Sequence, residues 1–208
     1  MNTREIDGRS LRAVEKRRAR RSDILGAAIR LFSSRGFYAT SISDLIKEAG
    51  ISRGTFYLYF DSKEALFLDL MDVFAKRIMD VVEIVDPAGP DPVQKIYQNV
   101  RRIVDVVFNN RELAVIVFRE TYGLDSGIDQ KLNKLYGFLR EMVEGALSKG
   151  ASWGIIRPVN EQLVTTALIG AIKEVFYHHL VVEPHPVPDR DAFTTSLFEF
   201  STRGLLSV

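Results

Sequence analysis

Cysteine is absent from the 208-residue chain, and histidine occurs only three times. A disulfide framework, a thiolate nucleophile and thiolate-ligated metal are thereby excluded, and few imidazoles remain for zinc. His178 and His179 are adjacent and point about 100° apart on a helix, so a structural or interface role is expected for them rather than a shared metal ion. Long apolar runs are missing as well. Leu113 to Phe118 and Leu180 to Val182 fall far short of the ~20 residues of a spanning helix. No charged segment followed by an apolar stretch opens the chain, so a cytoplasmic protein without a membrane partner is expected. HExxH, P-loop, GxSxG, dinucleotide-binding and paired acid–base patterns are absent too, which argues against an enzyme and against a bound cofactor.

What is present begins with charge. Hydrophobic residues make up 46% and charged residues 26%, the composition of a globular chain rather than a disordered one. The net charge of +1 conceals an asymmetry: residues 1–63 hold 13 Lys and Arg against 7 Asp and Glu, leaving −5 for the remainder. A basic end on an acidic body suggests that the first third meets a polyanion.

Strand signals are scarce, and apolar residues recur at three- and four-residue spacing from about residue 22 onward, so the fold class is all-α. The polar segment 1–15 is expected to be a flexible leader. A first helix is expected over 16–34, buried through Ile24, Leu25, Ala28, Leu31 and Phe32 and stopped by Gly36. Ser41 and Asp44 form the pattern of a capping box for a second, which ends at Gly50. A third starts at Ser52. A fourth is capped by Asp61 or Ser62 and runs to about residue 85, where Pro87, Gly89, Pro90 and Pro92 break the chain. Five more are expected near 92–109, 111–122, 127–149, 160–181 and 190–206, about nine in all. The domains expected from this are a helix-turn-helix unit over 16–62 and a helical body over 63–208, with 63–85 as connector.

Two short helices joined at Gly50 meet the requirements of a helix-turn-helix, whose second helix enters the DNA major groove. Ser52, Arg53, Gly54 and Thr55 supply small and polar groups at its N-terminal end. Tyr57 and Tyr59 offer hydroxyls to phosphates or rings to sugars and thymine methyls, while Phe56 and Phe60 pack inward. Arg17, Arg18, Arg20 and Arg21 are assigned to the DNA backbone or minor groove. Lys63 is assigned to phosphate in preference to an exposed pair with Asp61 or Glu64, which would be worth at most ~1 kcal/mol.

The run GFYATSISDLIKEAGISRGTFYLYFDSKEALF, residues 36–67, resembles the DNA-binding signature of the TetR/AcrR family of bacterial transcriptional regulators. The resemblance implies a three-helix DNA-binding head, a connecting fourth helix, a ligand-binding body, and a homodimer formed largely by the last two helices. Carried over position by position, it implies DNA-facing places at Thr40, Ser52, Arg53, Gly54, Thr55, Tyr57, Tyr59 and Lys63, with Ser41 mainly capping. Where many members have Tyr-Tyr-His, this chain has Tyr57, Leu58 and Tyr59, so a polar contact at 58 is lost.

The expected function is therefore a dimeric, ligand-responsive regulator, a repressor of a palindromic operator in double-stranded DNA. Its effector is expected to be apolar or amphipathic, because helices five to eight are rich in aliphatic and Phe side chains. Candidate effector-site residues are Ile103, Val107, Phe118, Arg119, Tyr122, Tyr136, Leu139, Ile172 and Phe176. For Arg119 and Glu120 a salt link is the competing explanation. Trp153, in a Gly-rich turn, is expected to plug a packing gap. Ala167, Gly170 and Ala171 permit close approach, and Phe193, Leu197 and Phe200 add bulk, so these six are assigned to the dimer interface.

Overall fold

The computed structural model describes residues 8–86, 89–119, 126–183 and 189–203, with the side chains of 8–10, 126–136 and 138 outside that description. Among the described residues there are nine α-helices, one π-helical turn and no strand. The chain divides into two compact units, residues 1–70 and 71–208.

The N-terminal unit contains α1 (Gly8–Arg35), α2 (Ile42–Ala49), α3 (Arg53–Tyr57) and the start of α4 (Lys63–Met79). Helix α1 begins eight residues before the expected position 16, so 8–15 is helix rather than leader; residues 1–7 lie outside the described part. The segment from Arg9 to Leu25 has neither glycine nor proline and is rich in Ala, Arg, Lys, Leu and Glu, which extend a helix readily once the packed part has nucleated it. Residues 11–23 lack an apolar stripe because they are exposed.

Downstream, Ile24, Ala28, Leu31 and Phe32 are buried as their spacing predicts, Ala27 joins them, and Leu25 is only half-buried. Phe37 sits edge-on to Phe32 at 5.5 Å and to Phe67 at 5.0 Å, and Leu45, Phe56, Phe60 and Leu66 complete the core. Ser41 caps α2 by accepting from the Asp44 N–H, and Asp44 accepts from the Ser41 N–H at 2.9 Å. The hydroxyl and backbone of Ser41 together hold the Asp44 carboxyl below its usual pKa. Gly50 ends α2 at φ 62°, a left-handed conformation open to glycine at no steric cost. Ser62, rather than Asp61, caps α4 through the Ala65 N–H.

The C-terminal unit holds the end of α4 with α5 (Pro92–Asn109), α6 (Arg111–Arg119), α7 (Ser126–Ser152), α8 (Glu161–Tyr177) and α9 (Arg190–Thr202); a π-helical turn, His178–Val182, follows α8. Helix α4 stops at Met79, not at residue 85. Beyond it the buried Asn99 side chain of α5 substitutes for a peptide partner, accepting the Glu83 N–H at 3.0 Å and donating to the Glu83 carbonyl at 2.8 Å. Lys95 above all, with Arg102 alongside, holds the Glu83 carboxyl below its usual pKa.

An aromatic cluster organises this core. Phe118 stacks on Phe176 with centroids 5.4 Å apart and planes at 20°, and Phe74 meets Phe118 edge-on. Phe108 and Phe193 flank Phe176 at 6.0 and 5.6 Å. Helix α9 lies along α5 through Tyr97 on Phe198, a Tyr97–Thr195 hydrogen bond, and the Arg101–Asp191 and Arg190–Asp105 pairs. Trp153 is exposed in the turn after α7 and is not a packing plug.

Candidate nucleic-acid interface

The turn from Gly50 to Ser52 sets α3 against α2. Ser52 caps α3 by accepting the Thr55 N–H at 3.1 Å, and the two hydroxyls lie 2.8 Å apart. Phe56 is buried, which orients the short helix and leaves Ser52, Arg53, Gly54, Tyr57 and Leu58 exposed; Thr55 and Tyr59 are half-buried. The Arg53 guanidinium lies 6.0 Å from the Tyr57 ring centroid, a cation–π contact that restricts both side chains on this face. Arg17 and Arg18 are exposed on α1.

Four of the expected DNA contacts have other partners. Thr40 is 1% exposed and donates its hydroxyl to the Gly36 carbonyl at 2.8 Å, so it closes the α1–α2 turn instead of facing DNA. Arg21 forks onto both Asp69 carboxylate oxygens at 2.5 Å and lies 5.6 Å from the Phe60 ring centroid, which ties α1 to α4. Arg20 lies 3.4 Å from Asp23 on the surface, a weak local pair. Lys63 is held most firmly. Its ammonium donates to the Phe37 and Thr40 carbonyls at 2.8 and 2.9 Å and sits 4.2 Å from the Phe37 ring centroid.

Lys63 thus holds the turn that presents α2 through two of its three ammonium donors. Lys63→Met is expected to destabilise the protein by ~2–3 kcal/mol, the scale of a hydrogen-bonded charge, in urea unfolding. The salt dependence of DNA binding by the folded variant should match the parent if Lys63 serves the turn alone, and a slope lower by ~0.9 per protomer would assign it a phosphate as well.

Conversely, Arg12 and Lys16 are cations on the exposed part of α1 that sequence patterning missed; the unbroken run of helix-forming residues was the available signal. Tyr38, exposed in the α1–α2 turn and edge-on to Phe37, was also missed.

In the C-terminal unit, Val107 and Phe176 are buried, and Ile103, Phe118, Arg119, Leu139 and Ile172 are half-buried. Among the described effector candidates, Phe118 and Phe176 are brought into ring contact. Tyr122 and the Tyr136 side chain lie outside the described residues. Of the expected dimer residues, Ala167, Gly170 and Phe200 are exposed and Ala171 is half-buried. Phe193 is half-buried and packs 5.3 Å from Phe108 and 5.6 Å from Phe176, and Leu197 is buried, so both contribute to packing within the subunit. No group of three His, Cys, Asp or Glu residues able to hold a metal occurs among the described residues. No helix there is long and apolar enough to cross a membrane.

A capped two-helix unit presenting Arg53, Gly54 and Tyr57 is that of a helix-turn-helix regulator. Residues 24–70 match the family model described as bacterial regulatory proteins, tetR family, and residues 89–177 match the tetracyclin repressor-like C-terminal domain. The HTH-type transcriptional regulator HbdR of Aromatoleum sp. (strain CIB) is 30% identical over 193 residues, covering 90% of this chain and 78% of that protein. The chain belongs to the TetR family of transcriptional regulators, whose members are not enzymes. A solved chain assigned to that family from Syntrophomonas wolfei superposes with a TM-score of 0.75 at 25% identity, covering 89% of this chain and 94% of its own. FadR from Bacillus subtilis, solved in complex with stearoyl-CoA, shares the fold with a TM-score of 0.72 at 23% identity, over 88% of this chain and 98% of its own.

Proposed function

We propose that this regulator is a cytoplasmic repressor that binds a palindromic operator as a homodimer and leaves it when an apolar or amphipathic molecule enters the helical body. The observation that carries the DNA-binding face is Gly54. It is exposed within α3, and a Cβ built on it would meet only the Ser52 hydroxyl, at 3.9 Å. Glycine weakens a helix by about 0.5–1 kcal/mol relative to alanine. Nothing inside the protein calls for it, so the close approach it allows is that of DNA.

Arg53, Tyr57, Ser52 and Thr55 surround that point, and Arg17 and Arg18 add charge. Leu163, Ala167 and Gly170 expose an apolar, partly small-residue face along α8, which with Phe200 supports isologous pairing. Two recognition helices then enter successive major grooves about 34–36 Å apart. An effector that prefers another separation weakens binding by its differential affinity for the two states. The apolar side chains packed around Phe118 and Phe176, and the fold shared with a regulator solved in complex with stearoyl-CoA, favour an acyl thioester over a polar metabolite.

Gly54→Ala tests the central claim because its two effects have opposite signs. The variant should gain about 0.4–1 kcal/mol in unfolding free energy while losing at least ~10-fold in affinity for a duplex selected from genomic fragments, equivalent to ~1.4 kcal/mol. Unchanged affinity would remove α3 from the interface.

A further inference from the structure

Leu58 is 74% exposed, the most exposed large apolar residue of the described N-terminal unit. It does not belong to the core: Phe56 and Phe60, two residues to either side, are 0% and 5% exposed, and a helical step of two turns Leu58 ~200° away from them. Nor is it free to swing. Its backbone N–H is held by the Gly54 and Thr55 carbonyls, both at 3.2 Å, and Tyr59 and Phe60 bond back to the Phe56 carbonyl at 3.0 Å. The side chain is therefore displayed from a fixed position at the C-terminal end of α3, alongside exposed Arg53, Gly54 and Tyr57.

An apolar group on this face has one matching feature in the major groove. Hydrogen-bond donors and acceptors cover the base edges there, and the exception is the C5-methyl of thymine. Phosphates reward charge or hydrogen-bond donors, which leucine lacks. We propose that Leu58 is a specificity-determining residue that reads a thymine methyl in each operator half-site. The proposal rests on the DNA-binding role assigned to α3 above. It places base discrimination in van der Waals contact at 58, with Arg53 and Tyr57 beside it supplying polar contacts.

The test uses the full-length protein and a duplex selected from a random-sequence pool. Each thymine of a half-site is replaced singly by deoxyuridine, which removes the methyl and leaves every hydrogen-bonding group in place. Wild type should lose about fourfold in affinity at one position per half-site, the ratio equivalent to the ~0.8 kcal/mol released on burying one methyl-sized group. Leu58→Ala should bind the thymine and uracil duplexes equally at that position while retaining discrimination at the other base pairs. If no thymine-to-uracil change weakens wild type, or if the effect persists undiminished in Leu58→Ala, the assignment of Leu58 is overturned while DNA binding stands. If no duplex is retained from the pool, the DNA-binding role of α3 is overturned and the role of Leu58 with it.

Discussion

Alanine at Arg12, Lys16, Arg17 and Arg18 together is expected to flatten the salt dependence of DNA binding more than any other change in the chain. All four side chains are exposed on α1, ahead of the part of the helix that packs. Arg20 and Arg21 already hold Asp23 and Asp69, so the variant spares the head's own ion pairs. A cation that neutralises one phosphate releases condensed counterions, and the slope of log K against log salt changes by ~0.9 for each such contact. Four contacts correspond to a slope change of ~3.6 per protomer, or about 10²-fold in relative affinity between 50 and 200 mM salt. Binding titrations across that range, on the selected duplex and on an unrelated one, should show the same loss for both, because phosphate contacts carry no sequence information. Folding should not suffer, since the residues are exposed and alanine is the stronger helix former. An unchanged slope would mean that this end of α1 lies away from the duplex.

The uniform response expected at α1 contrasts with the local one expected at Leu58, which separates positioning from readout along a single head. That division follows from how each element is built. Helix α1 carries a field of cations on an unpacked helix, whereas α3 is capped at Ser52, buried at Phe56 and held through its backbone. Rigid display favours discrimination, and an exposed charged helix favours affinity without it.

The features legible in the sequence are those whose causes lie within a turn or two of the residue. Ser41 with Asp44 and Ser52 with Thr55 are three apart, and the α1 stripe of Ile24, Ala28, Leu31 and Phe32 repeats at helical spacing, so local patterning places all of them. The residues misread are governed from a distance. Lys63 is held by carbonyls 23 and 26 residues earlier, and Arg21 by a carboxylate 48 residues later. In each case the sequence shows a cation near a DNA-binding motif, and the fold supplies the distant partner. The same reason applies beyond α4, where Glu83 is held by Asn99, 16 residues later. Phe193 and Leu197 form a helical stripe that fits an interface and a core equally, and only their packing on α5 and Phe176 separates the two.

Phe176→Ala should have the largest effect on stability, a loss of about 3–5 kcal/mol. The ring is 2% exposed and occupies the centre of the cluster, stacked on Phe118 and flanked by Phe108 and Phe193. Those partners come from α6, α5 and α9, so truncation at this one position of α8 removes contacts to three other helices. Trp153, the single tryptophan of the chain, lies in the C-terminal unit and reports on it alone. In urea, the tryptophan transition should shift to lower denaturant by the full amount. Far-ultraviolet circular dichroism should retain part of its helical signal past that midpoint, from α1 to α3. The vacated space is lined by three aromatic rings and has the chemistry of a dry apolar cavity, which small aromatic molecules enter. Saturating toluene should therefore restore part of the lost stability in the variant, by the mass action of a ligand that binds only the folded state, and leave wild type unchanged. A loss below ~1 kcal/mol would show that the cluster is not the keystone of this unit.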